Sequence, residues 1–319
     1  MANYDVFNGD ADGICSLIQL RLDKPLDSHL ITGVKRDIAL LKQVNANQGD
    51  QITVLDISME KNKESLIQVL DAGASIFYAD HHRSGDIPEY PNLEAQIDLS
   101  SDTCTALIVD KYLSGKYKAW AITAAFGDNL KKEARKIAES ENFSEEEIAL
   151  MDQLGTYINY NGYGASLDDL YFPPSELYKI MKVFKTPFEF IEKEMSVFET
   201  LKKGCEEDIQ KANSLKTTFE SEAAALFILP NEKWARRVSG VYSNNLAINN
   251  PDRAHAVLTE KPCGNYLVSI RAPKSNMQGA SEIASKFPSG GGREAAAGIN
   301  DLPKSQIKEL YQALVGYYQ

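Results

Sequence analysis

YDVFNGDADG, residues 4–13, decides the fold. Residues 4–7 read as a short apolar strand, and the loop Asn8-Gly9-Asp10-Ala11-Asp12-Gly13 ends it. Ile14, Leu17, Ile18 and the leucines at 20 and 22 then recur at helical spacing. The pattern repeats further along. Residues 52–55 form a second strand closed by Asp56, residues 61–71 a helix, and residues 74–79 a third strand closed by Asp80-His81-His82. Strand, helix, strand, helix in this rhythm predicts an α/β fold with a mostly parallel sheet flanked by helices. Ligands of such sheets bind outside the carboxyl ends of the strands. The acidic clusters of this chain fall there.

Residues 105–113, 119–126, 131–138 and 145–158 carry helical patterns. Residues 188–220 hold one glycine, no proline and many Glu and Lys, which predicts one long helix kinked at Gly204 and joining two domains. The boundary is placed near 215, giving domains 1–215 and 216–319. In the second, residues 224–229, 256–259 and 266–271 read as strands. A helix over 279–286 precedes Gly290-Gly291-Gly292, and a last helix covers 303–318. This is a smaller α+β domain.

At 319 residues, with 43 % hydrophobic and 25 % charged residues, the chain is neither disordered nor a disulfide scaffold. A net charge of −11 disfavours a protein that coats long duplexes, since that task needs a broad basic surface. It allows a small phosphorylated ligand in a local basic pocket. The four cysteines are far apart and form no C-x-x-C pair, which points to small core residues rather than a cysteine zinc site. With no signal-peptide pattern at its start and no apolar stretch of about 20 residues, the expected compartment is the cytoplasm, without a membrane partner.

Asp10 and Asp12 alternate in an extended turn, which can aim both carboxylates to one side. Half of the chain's 4 histidines stand in the single tripeptide after the third strand. Carboxylates take hard divalent ions and imidazole suits transition metals, so this donor set points to Mn²⁺ ahead of Fe, Co or Mg²⁺. Two such ions can clamp the attacking and leaving oxygens of a phosphoryl displacement.

NGDADG, the strand-end Asp56, Asp80-His81-His82, and AAFGD ending at Asp128 resemble, in order, the four motifs of the DHH phosphoesterases. SIRAP with GGGREAAAG in the tail resembles the companion DHHA1 domain. The resemblance implies that Asp10, Asp12, Asp56, His81 and Asp128 ligate two divalent metals, with Asp56 bridging. It implies that His82 faces the substrate and that Asp80 orients a histidine. Arg271, Gly290, Gly291, Gly292 and Arg293 are implied to bind substrate phosphate. Two positions depart from the family's pattern. Asn8 stands where His or Asp is usual, so it offers a metal only a neutral carbonyl oxygen. Arg293 stands where His is common, and its fork can grip a phosphate.

The expected function is a metal-dependent phosphodiesterase acting on a small nucleotide, a short single-stranded oligonucleotide or a linear dinucleotide. The alternatives are an exonuclease of the RecJ type and a non-catalytic nucleotide-binding protein with a degenerate metal site. The reading leaves room for a homodimer.

Overall fold

The computed structural model describes residues 1–319, which divide into two units, Met1–Lys203 and Gly204–Gln319. The first contains β1 (Asn3–Phe7), α1 (Ala11–Asp23), β2 (His29–Ile31), β3 (Gln51–Leu55), α2 (Met59–Asp71), β4 (Ser75–Asp80) and β5 (Leu93–Ile97). Helices α3 (Thr105–Tyr112), α4 (Lys118–Gly127), α5 (Lys131–Ser140), α6 (Glu145–Asn161), α7 (Pro174–Met181), α8 (Pro187–Lys193) and α9 (Met195–Asn213) follow. All five strands are parallel, in the order β2-β1-β3-β4-β5. The α/β expectation holds.

Period-2 alternation sorts the core. Phe7, Leu55 and Ala79 point to one face, where α1, α3, α4 and α6 bury Ile14, Leu17, Trp120 and Leu154. Val6, Val54 and Tyr78 point to the other, against Leu66, Val69 and Leu70 of α2. The strand order reverses beside β1. β2 lies on one side of β1 and β3 on the other, so the chain leaves β1 and β3 in opposite directions and opens a crevice at their carboxyl ends. The register brings those ends level, because Phe7 pairs with Leu55 and Leu55 with Ala79. One residue further on, the Asn8 amide donates to the Leu55 carbonyl at 3.2 Å and the Asp56 amide to Ala79 at 3.1 Å. Asn8, Asp56 and Asp80 therefore leave three neighbouring strands in a row.

The helix expected over 188–220 is two helices. α8 ends at Lys193, Glu194 interrupts, and α9 begins at Met195, while Gly204 lies inside α9 without breaking it. In an unbroken helix Glu194 would fall on the same stripe as Phe190, Ile191, Phe198 and Leu201, which are all buried. The interruption falls at that residue. The division at Lys203/Gly204 lies within α9, ahead of the position near 215 read from the sequence.

The second unit contains β6 (Phe219–Glu220), β7 (Ala224–Leu229), α10 (Lys233–Asn249), β8 (Ala254–Glu260), β9 (Tyr266–Arg271), α11 (Ala280–Ser285), β10 (Gly290–Arg293), β11 (Ala296–Leu302) and α12 (Ile307–Tyr318). Its mixed sheet runs β10-β11-β9-β8-β7-β6, with only β7 and β8 parallel, joined through α10. Val257 and Phe227 pack under α10, and Ala256, Leu258, Val268 and Ile270 pack against α11 and α12. No helix is long and apolar enough to cross a membrane.

Candidate metal and phosphate sites

Asp10 ends the loop after β1 as the N-cap of α1. One of its oxygens accepts from the amides of Asp12 and Gly13, both at 3.1 Å. Its other oxygen lies 2.6 Å from Lys35 Nζ. Burial works against charge on Asp10, but Lys35 and the Gly13 amide outweigh it, and the carboxyl titrates below its usual range. Gly13 is required here, because a Cβ would lie 2.2 Å from the Asn8 carbonyl oxygen.

Asp12 projects from the first turn of α1 onto the start of another helix. Its oxygens accept from the amides of Thr105 at 2.8 Å and Ala106 at 2.7 Å, which satisfies two of the unpaired donors that begin α3. Asp56 sits just past β3 with φ of 57°, a left-handed conformation that Asp and Asn tolerate best among residues with a Cβ. Thr105 donates its hydroxyl to Asp56 at 3.2 Å.

These carboxylates converge on one imidazole nitrogen. His81 Nε2 lies 3.5 Å from Asp56 Oδ1, 3.7 Å from Asp128 Oδ2 and 3.8 Å from Asp12 Oδ2. Asp128 caps the carboxyl end of α4. Two triads, Asp12-His81-Asp128 and Asp56-His81-His82, each bring three donor atoms within 4.8 Å of one another, close enough for a cation to be shared within either. Burial and the negative charges of Asp12 and Asp10 push the Asp56 carboxyl well up and the Asp128 carboxyl to about 6. Such crowding calls for a cation, and carboxylates with an imidazole are the donor set for one.

His82 stands beside this cluster, its side chain 47 % exposed. Its Nδ1 is 2.8 Å from Asp80 Oδ1 and 3.7 Å from Asp56. That hydrogen bond to fully buried Asp80 raises the His82 pKa against the opposing effect of burial.

Lys35 carries no signal in the sequence. It lies in an irregular loop after β2, yet its ammonium also reaches Asn159 Oδ1 at 2.7 Å and Asp128 at 3.7 Å. Burial disfavours its charge, but Asp10 above all overrides that and lifts its pKa above the ordinary lysine value. Asn8 does not turn a charged group toward the cluster. Its Nδ2 donates to the Lys35 carbonyl at 3.2 Å, and its buried Oδ1 accepts no hydrogen bond.

In the second unit the sheet register puts His255, Arg271, Ala296 and Arg293 in one row across β8, β9, β11 and β10. Directly opposed residues share a face. Arg271 donates to Asn244 Oδ1 at 2.8 Å and to the Ile270 carbonyl at 3.0 Å. Burial and the neighbouring Arg293 lower its pKa. The glycine run forms an edge strand. Gly290 pairs with Ile299, Gly291 with Gly298 and Gly292 with Ala297. A Cβ on Gly290 would lie 1.9 Å from the Ala284 carbonyl oxygen, so glycine lets β10 press against α11. His255 is fully buried, and neither ring nitrogen has a hydrogen-bond partner.

No protein-family model matches the sequence. No curated protein matches it either. Among solved structures, the chain aligns with exonuclease RecJ bound to manganese at a TM-score of 0.66 and 15 % identity, covering 99 % of this chain and 90 % of that one. The chain has a RecJ-like fold. RecJ from Thermus thermophilus in complex with Mn²⁺ gives 0.65 at 15 % identity, and in complex with Mg²⁺ 0.58 at 14 %. This chain spans about half of that protein, 52 % and 49 % in the two comparisons.

Within this RecJ-like fold the sequence-predicted residues fall into two groups. Asp10, Asp12, Asp56, Asp80, His81, His82 and Asp128 gather at the carboxyl ends of β1, β3 and β4, with Asn8 at their edge. Arg271 on β9 and Arg293 on the edge strand β10 lie in one row across the second sheet, with β11 between them. Lys35, Asn159 and Thr105 join the first group only through the fold.

Proposed function

We propose that the chain is a metal-dependent phosphodiesterase that hydrolyses short single-stranded oligonucleotides or linear dinucleotides to mononucleotides. The observation that carries this reading is the approach of Asp12, Asp56 and Asp128 to His81 Nε2 at 3.5–3.8 Å, at the point where the strand order reverses. These four residues would hold a divalent ion, with Mn²⁺ the best match to the donors. When bound, such an ion lowers the pKa of water and stabilises charge on a phosphoryl oxygen. Manganese bound to exonuclease RecJ, whose fold this chain shares, supports the choice.

The protein's own groups supply the rest. Asp80 keeps His82 protonated to higher pH, so that His82 can donate a proton to the departing oxygen. Arg271 and Arg293 hold a substrate phosphate with the exposed edge strand Gly290–Arg293. The two-ion arrangement implied by the sequence resemblance would set its second ion against Asp10, where Lys35 stands. The reaction proposed requires the position at His81.

The RecJ-like fold also favours a second reading, a single-strand exonuclease. Substrate length separates the two. With Mn²⁺ and 5′-labelled strands from dinucleotide to about 20-mer, beside cyclic dinucleotides and phosphoadenosine phosphate, efficiency is expected to peak at about two to four nucleotides. Local grip on one phosphate gains little from a longer strand. Flat or rising efficiency toward the 20-mer, with steep salt dependence, would move the assignment to the exonuclease. Metal binding with no hydrolysis of any substrate would leave a nucleotide-binding protein.

A further inference from the structure

We infer that the Lys35 ammonium takes the place of one cation of the two-ion site implied by the sequence resemblance, so that the chain binds a single divalent ion. The inference rests on the phosphodiesterase reading for its consequence in catalysis, but its structural basis is independent of turnover.

Lys35 is placed from several sides. Its ammonium is 2.6 Å from Asp10 Oδ2, 2.7 Å from Asn159 Oδ1 and 3.7 Å from Asp128 Oδ1. The first two contacts engage two of its three donors, and the third carboxylate lies within ion-pair distance. Its backbone amide donates to the Gly162 carbonyl at 2.8 Å, and its carbonyl accepts from Asn8 Nδ2 at 3.2 Å. The aromatic ring of Tyr163 lies 5.9 Å from the ammonium. A lysine merely filling space beside an acidic loop would not need both its backbone and its head fixed.

Asn8 and Lys35 read as one coordinated change. An aspartate at position 8 could not donate to the Lys35 carbonyl, whereas the Asn8 amide does. A neutral residue at position 8 also removes one negative charge from the half of the site that Lys35 enters. With one Asp10 oxygen held by the amides of α1 and the other by the ammonium, that carboxylate is already compensated. An ion ligated by Asp10 Oδ2 at about 2.1 Å would sit less than about 5 Å from the ammonium and be repelled by it. In the other half the ammonium makes no contact this close, lying 3.7 Å from Asp128 Oδ1 against 2.6 Å from Asp10. There the donor atoms of Asp12, His81 and Asp128 lie within 4.8 Å of one another, and Asp56 Oδ1 is 3.5 Å from the same His81 nitrogen.

Equilibrium dialysis and electron paramagnetic resonance of the full chain with Mn²⁺ test this without reference to activity. The expected result is one ion per chain, with the spectrum of an isolated Mn²⁺. Combining Lys35→Met with Asn8→Asp is expected to double the ratio to two ions and to bring in the broadening of a spin-coupled pair. Two ions on the wild-type chain would overturn the inference, as would none. A folded double variant that stays at one ion would overturn it too. If the double variant does not fold, the wild-type ratio still decides. One bound ion with no hydrolysis of any phosphodiester would defeat the proposed reaction and leave the role of Lys35 standing.

Discussion

Around His81 the first unit crowds Asp10, Asp12, Asp56 and Asp128 together, three of them almost wholly buried, and ties Asp10 and Asp12 to amides or an ammonium. The arginine row of the second unit is built differently. Burial and the neighbouring Arg293 disfavour the charge of Arg271, and the acceptors of Arg271 are an amide and a backbone carbonyl, not a carboxylate. One cluster has excess negative charge in a place that water reaches poorly. The other leaves positive charge without a carboxylate partner along one row of the sheet. Both arrangements cost stability when empty and recover it from a ligand of opposite sign. The difference teaches which ligand each would take, a cation in the first and a phosphate in the second.

Breaking the first cluster should have the largest effect. Asp56→Asn keeps a residue that tolerates φ of 57° and removes a carboxylate facing both histidines, so activity with Mn²⁺ should fall below detection while circular dichroism stays native. Near-wild-type kcat would remove Asp56 from the site. Breaking the second comes next. A hydrogen bond to a charged group contributes about 1.5–3 kcal/mol, so Arg293→Ala should lower kcat/KM on dinucleotides by about 10- to 150-fold. A loss under about threefold would show that the row does not hold the substrate.

Asp80→Asn sharpens the contrast within the first unit, because it acts through His82. Exchanging the carboxylate 2.8 Å from His82 for a neutral amide should cost activity about 10- to 100-fold. It should also lower the His82 pKa, so the basic limb of the pH profile moves to lower pH. An unmoved limb would deny His82 its role as proton donor. The smallest effect concerns stability in the second unit. Burial and Arg253 lower the His255 pKa from 6.5 to about 4, so the unfolded chain binds the proton more readily. Stability is therefore full above pH 6.5 and is lost as pH falls toward 4. His255→Leu leaves no ring nitrogen unpaired and should flatten the fall in Tm over that window.

Much of the first cluster was legible because its residues end regular elements. Asp56 and Asp80 each close an apolar strand, and a strand end at the reversal point of a parallel sheet is where ligands bind. Lys35 could not be read. It belongs to no periodic segment, and its importance comes from contacts with residues 25 and 124 positions away, Asp10 and Asn159. The capping role of Asp12 was hidden for the same reason, since its acceptor sites meet α3 across the fold. Strands β2 and β5 escaped because one is three residues long and the other carries Glu94 and Gln96 among its few apolar positions. β10 escaped because glycine is poor strand material, and only its packing on α11 makes three in succession useful. The break at Glu194 has no proline or glycine to announce it.

The carboxylate of Asp12 is shared between the cation position and the first two amides of α3. A charge drawn toward one side is partly withdrawn from the other, so ligand occupancy and the opening of that helix end are linked quantities. The amide protons of Thr105 and Ala106 thus form a built-in gauge. Their exchange with deuterated solvent would report whether the site is filled before any substrate is added.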